Sequence, residues 1–138
     1  MKRLLRRNRR GQTLVEFALI FPLFALILFG LFDMGRAVLY FSTISNASRE
    51  AVRLAIVDQN IPLIQQEAVD SAESVMSLTT GDVAVSFLAP DLTATGTCPS
   101  TPGIGCVAMV RIEYQFLPAT PFVGMLQLGA ETHQVIEH

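Results

Sequence analysis

The chain of 138 residues has no tryptophan, two histidines and two cysteines, and charged side chains make up only 16% of it. So few histidines and cysteines leave little material for a metal centre or a thiol or imidazole nucleophile. The scarcity of charge, with 51% apolar residues, is incompatible with a disordered chain and more apolar than an ordinary soluble domain. The length fits about one domain and argues against a multidomain enzyme. No Ser/His/Asp set, close acid pair in a cleft motif or phosphate-binding glycine loop is present, so the expectation is a non-enzyme without cofactor or metal. His133 and His138, five apart, have no second ligand cluster beside them.

The charge that is present is divided sharply. Residues 1–10 hold Lys2, Arg3, Arg6, Arg7, Arg9 and Arg10 and no acid, whereas the rest carries four basic and twelve acidic groups. Directly behind the basic block, Phe17 to Phe32 contains no charge and no strongly polar side chain. Extended back to Leu14, the run is broken only by Glu16 and spans roughly 28 Å as a helix, close to a ~30 Å hydrocarbon core. A soluble helix needs an apolar stripe and not an apolar cylinder, so the segment reads as a membrane span. The adjacent positive charges predict a cytoplasmic N-terminus and an exported remainder. They explain the basic block by topology, without nucleic acid as a partner. A removed secretory signal is the alternative, but the apolar core is longer than usual and no small-x-small site closes it.

Beyond Asp33 the pattern becomes amphipathic. Ala37, Tyr40, Phe41, Ile44, Ala47, Ala51, Leu54 and Ala55 recur at steps of three and four, opposite Ser42, Ser45, Asn46, Arg49 and Arg53. No Gly or Pro interrupts Arg36 to Ile61, so one helix from about Gln12 to Asp58 is expected, with a kink at Pro22. A second helix is expected after an Asn60 cap, with Pro62 in its first turn. Its stripe is Ile64, Ala68, Ala72, Val75 and Met76, and Thr79-Thr80-Gly81 ends it. The period then becomes two at Val83, Val85 and Phe87, again from Ala108 to Phe116, and more weakly from Leu126 to Val135. Short connections predict antiparallel pairing. The expected fold is therefore α+β: a long N-terminal helix, a second helix and a small antiparallel sheet of about three strands lying on the amphipathic half of the first. Cys98 and Cys106, with seven residues between them, do not fit a zinc framework. In an exported domain a disulfide is the expected state and two free thiols the alternative.

The most informative stretch is Gly11-Gln12-Thr13-Leu14-Val15-Glu16-Phe17. Acids at the centre of a span cost about 2.5–3.5 kcal/mol on insertion scales, and less when shallow, so Glu16 requires a reason. Taken alone, it could reach the headgroups or contact Arg9 or Arg10. A basic leader ending in glycine, a glutamate five residues on, an aromatic and then an apolar helix together resemble a prepilin. The sequence resembles the TadE-like minor pseudopilins of the Flp (tight adherence, Tad) pilus system. The resemblance continues in Phe29-Gly30-Leu31-Phe32-Asp33-Met34-Gly35-Arg36-Ala37 and Asn46-Ala47-Ser48-Arg49-Glu50-Ala51-Val52-Arg53, and more loosely in Val107–Phe116 with the proline turn after it.

That resemblance implies a pilin-like fold and a cut by a membrane prepilin peptidase between Gly11 and Gln12. Residues 1–11 are then the leader, 12–36 the transmembrane helix, and 37–138 the extracytoplasmic domain, including the amphipathic helix 37–58. Glu16 becomes the partner of the new Gln12 amine on a neighbouring subunit, and Phe17 packs against neighbouring helices. The implied partners are the peptidase, other pilins or pseudopilins and the Tad assembly machinery. The implied location is the bacterial cytoplasmic (inner) membrane, single-pass, with the surface pilus as a second location. Asp33 and Arg36, one turn apart at the span boundary, are expected to pair on one helix face. The competing reading is a single-pass anchor presenting a small extracytoplasmic binding domain that never assembles.

Overall fold

The computed structural model describes residues 9–89, 105–120 and 124–137, with side chains from Gly11 onward. The readings made for Lys2, Arg3, Arg6 and Arg7, for the side chains of Arg9 and Arg10, and for Cys98, Pro121 and His138 therefore lie outside the described residues.

Helix α1 runs unbroken over Arg9–Val57, 49 residues with Pro22 inside it. At ~1.5 Å per residue it is about 73 Å long. Pro22 removes one backbone N–H, but leucine, alanine and phenylalanine on both sides carry the helix across it. The sequence changes character near Asp33, and so does the burial. Leu19, Leu23, Ile27 and Leu31 are exposed, whereas Ile44, Ala47, Ala51 and Ala55 are completely buried. The reversal after Val57 is made by Asp58, whose Oδ1 accepts the Asn60 amide at 3.0 Å. The Asn60 carbonyl then accepts the amides of Leu63 and Ile64, opening helix α2. Asn60 thus holds the cap position expected of it, but through its backbone, with no side-chain cap.

Helix α2 spans Ile61–Ala72 and packs on α1. Ile64, Ala68 and Ala72 are fully buried, as their spacing predicts. It stops earlier than expected. The amides of Val75 and Met76 turn back to the Ala72 carbonyl, and Met76 and Leu78 are buried beyond the helix. Thr79 to Gly81, read from sequence as the helix end, instead enters a 3-10 turn over Thr80–Asp82. Asp82 explains the correction, since its Oδ2 accepts the Thr79 amide at 2.9 Å and the Thr79 hydroxyl at 2.6 Å. Such a local side-chain bond offers the backbone an alternative to the helix.

Three strands follow: β1 Val83–Leu88, β2 Val107–Phe116 and β3 Leu126–Val135. They pair antiparallel in the order β1-β2-β3, with Val83 opposite Ile112 and Ile112 opposite Ala130. This register puts Val110, Ile112, Leu128 and Ala130 on the face against the helices. Arg111, Glu113, Glu131 and His133 lie on the other face, where Arg111 pairs with both glutamates and His133 with Glu131. At the start of β2, Gly105 takes φ 94°, a left-handed conformation open to glycine. Its amide bonds the Ile136 carbonyl and the Ile136 amide returns to Cys106, closing the far end of the β2–β3 pair. The layout is α+β, a long helix, a second helix and a three-stranded antiparallel sheet.

One buried polar contact ties sheet to helix. Ser48, fully buried on α1, meets Thr132 of β3 hydroxyl to hydroxyl at 2.8 Å and donates to the Ser45 carbonyl at 3.0 Å. Ile112 lies at the centre of the sheet and is completely buried. Ile112→Ala should lower unfolding stability by about 2–5 kcal/mol, as expected for a core cavity. Leu63→Ala, at an exposed position of α2, should change it by less than about 0.5 kcal/mol. Denaturant unfolding of the detergent-solubilised protein, read by circular dichroism, checks both.

Candidate functional site at the start and at the end of the span

Gly11 and Gln12 lie in the opening turns of α1, and both are exposed. A Cβ at Gly11 would meet nothing within 4 Å, so its lack of a side chain answers no packing demand. The Gly11–Gln12 bond is helical, not extended. Glycine, however, disfavours the helix by ~1 kcal/mol relative to alanine. Local unwinding there is therefore easy. Gln12 and Glu16 lie one turn apart, within the distance at which side chains on a helix face meet. Glu16 is exposed on the apolar cylinder, and among the described residues it has no hydrogen-bond or ion-pair partner. Phe17 is 63% exposed, and its ring lies 5.4 Å from that of Phe21.

The end of the span is built differently. Asp33 is buried, and its carboxylate is the meeting point of three donors from a distant turn. Ala119 donates its amide to Oδ1 at 2.9 Å; Thr120 donates its amide at 2.9 Å and its hydroxyl at 2.7 Å to Oδ2. Arg36, the expected partner of Asp33, is 3.9 Å away and makes the looser contact. The principal partner of Asp33 is thus the turn after β2, and the intrahelical pair is secondary. Arg36 instead lies over the rings of Tyr40 and Phe116, 5.7 and 5.4 Å from their centroids. Tyr40 in turn meets Phe116 and Tyr114 edge-on at 5.6 and 5.8 Å. Asp33 therefore latches the head to the helix where the uncharged run stops, and an aromatic stack with a cation on top fills the joint.

Sequence reasoning did not anticipate Ala119, Thr120, Tyr114 or Phe116 as partners at this boundary. The usable signal was the proline-flanked turn Leu117 to Pro121. Such a turn leaves backbone amides without ladder partners, and a buried acid needs donors of that kind. Arg53, on the polar side of the helix as its spacing predicts, contacts Glu50 at 3.5 Å, with both exposed. Cys106 is buried at the foot of β2. Among the described residues, no group of three or more His, Cys, Asp and Glu could hold a metal ion.

Among the described residues one helix is long and apolar enough to cross a membrane, and it continues into an α+β head, so it is a candidate membrane span. Its kind is specified further by similarity. The family model for TadE-like protein matches residues 11–53, so this part of the chain is similar to TadE-like proteins. The match begins at Gly11, contains Glu16, Asp33 and Arg36, and stops within α1; the likeness read in Val107–Phe116 falls beyond it. Neither a curated protein nor a solved structure matches the chain.

The latch yields a direct expectation. In Asp33→Ala the amides of Ala119 and Thr120 should exchange with solvent roughly tenfold faster or more, because their acceptor is gone. In Arg36→Ala they should stay slow, since Arg36 accepts neither bond. Hydrogen–deuterium exchange resolved at these two residues distinguishes the latch from a simple Asp33–Arg36 pair.

Proposed function

We propose that the protein is a non-catalytic minor pseudopilin that takes part in assembly of Tad surface pili, which serve in adhesion and secretion-related work. In this reading the basic leader holds the N-terminus in the cytoplasm and the head stands outside the inner membrane. A membrane prepilin peptidase cuts between Gly11 and Gln12, removing the six basic residues and leaving a free amine on Gln12. The observation that carries the reading is Glu16, exposed on an otherwise apolar helix and without a partner among the described residues. In hydrocarbon an unpaired carboxylate and an unpaired ammonium are both unfavourable. Pairing of Glu16 with the Gln12 amine of a neighbouring pilin or pseudopilin relieves both and draws the helices together, with Phe17 packing beside them. The TadE-like match over Gly11 to Arg53 supports this assignment, and with it the Tad assembly machinery as partner. The folded head of two helices and three strands suits a minor component better than a shaft subunit. We further infer an oxidised Cys98–Cys106 pair closing the loop before β2 outside the cytoplasm.

The geometry at Gly11 makes the test clean, because a side chain there touches nothing and leaves the fold intact. In the native host, mass spectrometry of the membrane-fraction protein should find Gln12 as the first residue. Gly11→Val should retain the leader while the head folds normally. Glu16→Ala should be cleaved like the wild type yet lose co-purification with its pilin partners. A wild-type chain that keeps its leader beside an active peptidase sinks the reading. Full assembly by Glu16→Ala would favour the membrane-anchored binding domain instead.

A further inference from the structure

The exposed apolar surface of α1 does not stop where the uncharged run stops. Leu14 at one end and Val38 and Phe41 at the other are all at least half exposed. From Leu14 to Phe41 the helix rises about 40 Å, some 10 Å more than a ~30 Å hydrocarbon core accommodates upright. The excess lies on one side. Met34, Val38 and Phe41 follow at steps of four and three, on a face adjoining the one that the head covers. They form one wall of a groove of about 420 Å³, whose lower end is Gly30 in the uncharged run. The opposite wall belongs to the head and includes Phe116, Pro118 and Leu126. On the head, Leu117 and Met125 are 66% and 71% exposed. The one charged side chain in the groove is Asp33, and its carboxylate is already occupied by Ala119 and Thr120.

A contiguous apolar surface of this kind needs a cover, and its continuity with the span identifies which. The groove opens at Gly30, at the level where lipid already surrounds the helix. A helix longer than the bilayer is thick tilts, and tilts in structures average ~20° and reach ~40°. We propose that α1 tilts toward its Met34–Val38–Phe41 face, so that the head lies against the membrane and lipid acyl chains fill the groove between that face and Leu126. The inference rests on the reading of α1 as a membrane span. Tilting in this direction brings the excess helix and the apolar end of the head into the bilayer together, whereas an upright helix leaves both in water. The distal end, with Val57 exposed at the α1–α2 turn, stays in solvent.

The absence of native tryptophan permits a direct test. Val38→Trp, Leu126→Trp, Phe24→Trp and Val57→Trp each place a single reporter in the full-length chain. Each variant is reconstituted at low density into phosphatidylethanolamine–phosphatidylglycerol vesicles with brominated acyl chains. Val38→Trp and Leu126→Trp, on opposite walls, should be quenched to nearly the extent of Phe24→Trp within the span, and several-fold more than Val57→Trp. If Phe24→Trp is quenched while both groove reporters behave like Val57→Trp, the immersed head is wrong and the span stands. If Phe24→Trp itself escapes quenching, the span fails and the proposal with it. A Val38→Trp emission that shifts to the blue only at high protein density, without quenching, assigns the groove to a second copy and overturns the lipid.

Discussion

Helix α1 is a single hydrogen-bonded rod whose two halves face different surroundings, and the rest of the structure is arranged around the point where they meet. The first half presents apolar side chains on every side and has no packing partner among the described residues outside the helix. The second half buries Ile44, Ala47, Ala51 and Ala55 under α2 and the sheet. Asp33 marks the changeover. A carboxylate at this position must find donors, and the turn at Ala119 and Thr120 supplies three from a point 86–87 residues away in sequence. The latch fixes the Phe116 end of β2 against the helix. The Ser48–Thr132 contact fixes it again further along, so the head cannot swivel about α1 without exposing a buried polar group.

The two acids of the N-terminal helix show why local sequence context alone does not reveal function. Glu16 and Asp33 both adjoin the same apolar run. Asp33 is satisfied within its own chain, which accounts for it as a structural residue. Glu16 has no such partner among the described residues, and this difference makes it the candidate for an intermolecular contact. No composition or periodicity separates the two; the distinction depends on which distant turn the fold brings to each.

Much of the architecture was legible because it follows from period. The change from an apolar cylinder to an apolar stripe located the two halves of α1, and the change from steps of three and four to steps of two located the strands. Leu126–Val135 was read correctly despite its weak alternation, since Leu128 and Ala130 still fall on one face. The end of α2 was misread because the Val75 and Met76 amides close back on the Ala72 carbonyl and Asp82 caps a separate 3-10 turn at Thr79, local bonds that periodicity does not register. Phe41 was placed on the packed face and is half exposed beside the groove, since the head covers a narrower arc of α1 than the apolar stripe spans. The Asp33 partners were illegible for a different reason. Two backbone amides supply most of the bonds, and amides carry no residue-type signature.

Continuity of the helix has a mechanical consequence for the proposed assembly. Between Arg36 and Ile61 there is neither glycine nor proline, and the Asp33 latch and Ser48–Thr132 contact clamp the head at two levels. A reorientation of the helix at Glu16 must then reach the head as a rotation of the whole rod. At about 1.5 Å per residue, Glu16 and Ile44 are roughly 42 Å apart, so a tilt of a few degrees moves the head by several ångströms. Pro22 is the one position in the membrane half where a carbonyl lacks its amide and bending is cheap. It lies between Glu16 and Asp33. Any adjustment between a neighbour bound at Glu16 and a head held at the membrane surface would therefore concentrate there, while the clamped half beyond Asp33 moves as one piece.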